Sequence, residues 1–104
     1  MTIQELQAWV ANDWKSGSAP MPSVTLQILY LVEELGEVAE AIRKHESTHD
    51  RVDKAAKTVD IGSEMADMLI SLVTLANNYG VNLTQQVAEF QNRIEKRREK
   101  VRYS

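Results

Sequence analysis

The sequence predicts an all-α protein, a four-helix bundle, on three observations. Apolar residues recur at three- and four-residue spacing through most of the 104-residue chain. Helix-opening signatures stand at Thr2-x-x-Glu5 and Asn82-x-x-Gln85. No apolar-polar alternation runs long enough for a useful strand. A chain of this length supports one hydrophobic core, so residues 1–104 are read as a single domain.

Helix one opens on the Thr2 capping box and carries Ile3, Leu6, Val10 and Trp14 at helical spacing to about Lys15. Ser16 to Ser23, with Gly17, Pro20 and Pro22, reads as a loop. Ser23 can cap helix two, whose apolar stripe is Ile28, Leu31, Val32, Leu35, Val38, Ala39 and Ile42. The polar stretch His45 to Lys57 breaks that period and reads as a loop with one helical turn through Ala55 and Ala56. Helix three, Glu64 to Tyr79, is apolar around most of its circumference and stops at Gly80. Helix four opens at Asn82 and continues through Leu83, Val87, Phe90, Ile94 and Val101 into a basic tail.

Helix three is apolar on more sides than one small bundle covers. A homo-oligomer is therefore expected, as a dimer or a tetramer arranged as a dimer of dimers. A net charge of −3 gives no general attraction to nucleic acid or to an anionic membrane. The chain has no cysteine, which excludes disulfide and thiolate chemistry. Met1 to Ala11 lacks the basic-then-apolar pattern of a signal peptide, and no run approaches the roughly 18 apolar residues of a membrane span. The expected location is cytoplasmic.

Two acidic clusters interrupt the apolar helices: Glu33-Glu34-x-x-Glu37 and Glu64-x-x-Asp67. The i, i+3 spacing puts Glu34 beside Glu37, and Glu64 beside Asp67, on one face of each helix. Glu33, Glu37 and Glu40 follow the polar side of helix two, whereas Glu34 borders the apolar stripe near Leu31 and Val38. On helix three, Glu64, Asp67, Ser71, Thr74 and Asn78 form one narrow polar stripe. Converging carboxylates repel one another and resist desolvation unless a hard cation joins them. The plainer reading is a solvated face, with the acids paired to Arg43 or Lys44. An all-oxygen ligand set suits Mg²⁺ or Mn²⁺ rather than zinc.

These clusters, within Leu31-Val32-Glu33-Glu34-Leu35-Gly36-Glu37-Val38 and Glu64-Met65-Ala66-Asp67-Met68-Leu69-Ile70, resemble the signature of the MazG-like nucleotide pyrophosphohydrolases. The resemblance covers about Trp14 to Arg98 and implies a MazG-like helical bundle of the all-α NTP pyrophosphatase superfamily. It implies hydrolysis of a nucleoside triphosphate to monophosphate and pyrophosphate, with Mg²⁺ held by Glu34, Glu37, Glu64 and Asp67. Glu33 matches the first Glu of the motif, with its role left open between supporting the ligands and orienting water. Arg93-Ile94-Glu95-Lys96-Arg97 resembles the family's Lys-Phe-x-Arg-Arg stretch, which makes Arg93 and Arg97 phosphate-contact candidates. Lys96, Arg97, Arg98, Lys100 and Arg102 also suit a solvated helix C-terminus.

Trp14 is a candidate to stack on a nucleobase, beside its plainer role as a core anchor; Trp9 reads as packing. Asn77 reads as a buried hydrogen-bonding amide or a helix cap near Gly80. Ser71 stands where some relatives have a Tyr, so the sequence departs there from the family's sugar-contacting residue. His45-Glu46-Ser47-Thr48-His49 spells H-E-x-x-H, the pattern of zinc proteases. It lies among polar residues beyond the apolar period of helix two, and the chain has no further His. His45 and His49 are therefore read as exposed loop residues. The functional alternative from a different class is a non-catalytic regulatory or interaction module of the same fold.

Overall fold

The structure is a computed structural model that describes residues 1–47 and 54–103. Helices α1 (Ile3–Ser16), α2 (Val24–Ser47), α3 (Lys54–Asn78) and α4 (Leu83–Tyr103) follow in order, and there is no strand among the described residues. Among the described residues, no helix is long and apolar enough to cross a membrane.

The expected caps form. Thr2 Oγ1 accepts from Glu5 N at 3.1 Å while Thr2 N donates to the Glu5 carboxylate at 2.9 Å, satisfying two first-turn donors reciprocally. Ser23 Oγ accepts from Leu26 N, and Asn82 Oδ1 from Gln85 N. At the end of α3, Gly80 N donates to Asn77 O and Val81 N to Ala76 O, the paired bonds of a Schellman ending. Gly80 makes this possible at φ +64°, a conformation that costs glycine little.

Two helices are longer than their apolar stripes. The expected loop His45 to Lys57 is instead helical at both ends, since α2 continues to Ser47 and α3 begins at Lys54. Ala, Lys, Arg and Glu carry good helix propensity without apolar periodicity, so the helices outrun the pattern used to find them. Trp9, expected to pack, is 53% exposed.

Helices α2 and α3 run antiparallel as a hairpin, fixed by hydrogen bonds from Asn78 to Gln27 and from Ser71 to Glu34. Each partner lies seven residues, two turns, from its neighbour on the same helix. Helix α1 lies against α3, where Val10 and Val73 are the most deeply buried side chains. Gln7 ties three elements together. Its Nε2 donates to Asn77 Oδ1 and Val81 O, its Oε1 accepts from Leu83 N, and its backbone carbonyl accepts from Asn77 Nδ2. Asn77 is thus a half-buried amide with its hydrogen bonds made to Gln7.

At 100° per residue, the two pairs also assign the faces of the hairpin. Glu37 and Asp67 fall on the side that carries α1. Ile28, Val32, Leu35 and Ile42 of α2, with Met65, Leu69 and Leu72 of α3, fall on the opposite side. All seven are exposed, Val32 to 61% and Leu35 to 52%. The radius of gyration, 17.9 Å, exceeds the roughly 13 Å of a compact 100-residue domain. Packing of α4 is chiefly against α1, and Val87, Phe90 and Val101 are exposed along it.

Candidate functional site

The polar stripe of α3 becomes a ladder of hydrogen bonds. Asn78 pairs with Gln27, which is 4% exposed and donates its own Nε2 to Pro22 O. Thr74, 6% exposed, accepts from Trp14 Nε1 at 3.3 Å and donates to Ile70 O. Ser71 Oγ donates to Glu34 Oε1 at 2.7 Å. A narrow polar stripe on an apolar helix must meet polar partners, and α1 and α2 supply them.

Glu34 is half-buried, and its second oxygen, Oε2, is shut off from solvent with no hydrogen-bond donor. Glu64 is also half-buried, with its Oε2 screened from solvent. Glu33, Glu37 and Asp67 are exposed. Ser71 is level with Glu34, so at about 1.5 Å per residue Asp67 lies about 6 Å, and Glu64 about 10 Å, further along the hairpin. Glu37 stands about 4.5 Å along from Glu34 in the same direction. The acids thus spread over about 10 Å along the hairpin rather than standing at one level. Among the described residues, no three His, Asp or Glu side chains stand close enough to hold an ion together. Glu40 is accounted for separately: it pairs with Arg43 on the surface. The Arg43 hydrogen bond holds the Glu40 carboxyl below its ordinary range, and the same contact raises Arg43.

The donor set fits a hard divalent cation by its chemistry. Its members are all carboxylates, and two present buried oxygens. A buried carboxylate oxygen without a donor is costly. A hard cation is one kind of group whose charge would suit Glu34 Oε2.

Trp14 lines two cavities that also reach Thr74. One of about 210 Å³ is lined by Trp14, Pro22, Gln27, Tyr30, Glu34, Ser71 and Thr74. The other, about 330 Å³, adjoins Ala11, Trp14, Lys15, Met21, Thr74, Asn77 and Asn78. The first therefore brings two aromatic side chains beside Glu34. Gln27 and Tyr30 escaped the sequence reading because neither lies in an acidic or basic cluster. The spacing Gln27 to Glu34 on α2, matched by Ser71 to Asn78 on α3, was the available signal.

Arg93 and Arg97 are exposed on α4, away from the acids within the chain, and the Arg93 guanidinium lies 5.9 Å from the centre of the Phe90 ring. His45, expected in an exposed loop, is instead half-buried within α2. His49 lies outside the described residues.

The facing helices of this all-α hairpin thus carry Glu-Glu-x-x-Glu on α2 and Glu-x-x-Asp on α3. Residues 23–102 match the MazG nucleotide pyrophosphohydrolase domain, so the chain is a member of the MazG family. It is also similar to the uncharacterized protein YvdC of Bacillus subtilis (strain 168), at 27% identity over 102 residues covering 93% of this chain and 96% of the relative. No solved structure matches it.

Proposed function

We propose that this protein is a Mg²⁺-dependent pyrophosphohydrolase that splits a nucleoside or deoxynucleoside triphosphate into the monophosphate and pyrophosphate, clearing unwanted nucleotides from a cytoplasmic pool. The observation that carries the reading is Glu34, whose buried Oε2 lacks a donor within a motif of the MazG family.

Glu34, Glu37, Glu64 and Asp67 would hold Mg²⁺, with Mn²⁺ as a substitute. When bound there, such a cation would neutralise phosphate charge and lower the pKa of a water held by it. Glu33, exposed one residue before Glu34, supports the ligands or orients water. Trp14 and Tyr30 offer aromatic walls to a nucleobase in the cavity beside Glu34. Arg93 and Arg97 donate to phosphate oxygens from a helix that the single chain holds away from the acids.

That separation, the extended shape and the apolar underside of the hairpin all support a homo-oligomer. Pairing through Val32, Leu35, Leu69 and Leu72 removes apolar surface from water, at about 25 cal/mol per Å², on the side opposite Glu37 and Asp67. The spread of the acids along the hairpin favours one other reading, a MazG-fold module without catalysis.

Pyrophosphate release from a panel of standard and modified nucleotides, with and without Mg²⁺, separates the two. Mg²⁺-dependent release from at least one nucleotide supports the enzyme. Absence of release from every member rejects it in favour of the non-catalytic module.

A further inference from the structure

We infer that Ser71 is a positioning residue for the metal-binding carboxylate of Glu34; this rests on the proposed hydrolase. A carboxylate on a helix can present either oxygen to an ion, and side-chain rotation exchanges the two. Here the choice is made from the opposite helix. Ser71 Oγ donates to Glu34 Oε1 at 2.7 Å, a short bond strengthened by the charge on the acceptor. With Oε1 engaged, Oε2 is the oxygen left buried and without a donor.

Both partners are half-buried, so water competes poorly for the Ser71 hydroxyl. The serine, on α3, is itself held level with Glu34 of α2 by the Asn78–Gln27 bond two turns away. Thr74, the next polar residue on the stripe, is occupied by Trp14 and by the backbone of Ile70. Ser71 thus reaches Glu34 from the opposite helix as a side-chain donor. The hydroxyl therefore aims Glu34 before an ion arrives, so less rotational freedom is lost on binding.

The test is Mn²⁺ binding to the substrate-free protein, measured by titration calorimetry for wild type, Ser71→Ala and Ser71→Thr. Outer-sphere partners of metal ligands typically govern about 10- to 100-fold in affinity. Ser71→Ala is expected to weaken Mn²⁺ binding by at least about tenfold with helicity and oligomeric state unchanged. Ser71→Thr, which restores a hydroxyl, is expected to recover most of that loss. Equal Mn²⁺ affinity in wild type and Ser71→Ala overturns the role of Ser71 and leaves the hydrolase standing. Failure of Thr to recover what Ala loses also overturns it, because the loss would then follow packing rather than the hydroxyl. Wild type that binds neither Mn²⁺ nor Mg²⁺ overturns the hydrolase reading and this inference with it.

Discussion

The side-chain amide of Asn78 donates to that of Gln27, and this bond sets the level at which α3 passes α2. Gln27 is buried and also donates to the carbonyl of Pro22, so it secures the entry to α2 as well. Gln27→Ala removes the donor to the Pro22 carbonyl and the acceptor of the Asn78 amide together. The expected cost is about 1–3 kcal/mol, read from urea denaturation, with a matching loss of amide-exchange protection near Asn78. A change below about 0.5 kcal/mol, the size of ordinary surface substitutions, would remove the register role of this pair.

Glu34 sets stability against function. Glu34→Gln keeps the shape and removes a buried charge, so the metal-free protein is expected to melt at the same temperature or higher. Turnover should fall more than about a hundredfold, since even the partners of metal ligands govern up to that much, and the Mn²⁺-induced rise in melting temperature should disappear. Asp67→Asn is expected to abolish turnover as well, while leaving helicity intact. Retention of near-wild-type rates by both variants would dismiss the assignment of these acids.

The apolar underside of the hairpin is expected to be an interface between copies of the chain. Val32→Glu combined with Leu69→Glu places charges on that side, opposite Glu37 and Asp67. Wild type should sediment as a dimer or larger species at micromolar concentration, and the double variant as a monomer. A wild type that sediments as a monomer at every concentration would leave the exposed apolar stripes without this explanation.

Two carboxyls should titrate low in the folded protein. Glu5 accepts from the backbone and hydroxyl of Thr2, and Glu40 accepts from Arg43; each bond favours the charged form. A folded value below the ordinary 4.5 means that the stabilising contribution is present above that pH and lost as pH falls through the folded value. Carbon-detected NMR titration should give both midpoints below 4.5. Midpoints at or above it would show that neither bond persists in solution.

The sequence carried the helix caps well, because Thr2, Ser23, Gly80 and Asn82 act within four residues of themselves. It also separated Glu34, at the border of the apolar stripe, from Glu33, Glu37 and Glu40, which are exposed. The facing ends of α2 and α3 were harder to read, since Arg43, Lys44 and Glu46 extend a helix without prolonging its apolar stripe. The bond between Ser71 and Glu34 was not legible, because residues 37 positions apart meet only when the register of two helices is known. Trp9 illustrates the opposite failure. Helical spacing identified the residue but not whether its side of α1 had a neighbour.

The two-turn interval between the rungs also limits how the hairpin can change length. Inserting one residue between Gln27 and Glu34 rotates the rest of α2 by about 100°, and Glu34 then turns away from Ser71. Seven added residues on each helix restore the phase to within about 20°, which a long side chain can absorb. Growth through this segment is therefore quantised in matched pairs of turns. Single-residue length changes are tolerated only where no rung lies beyond them.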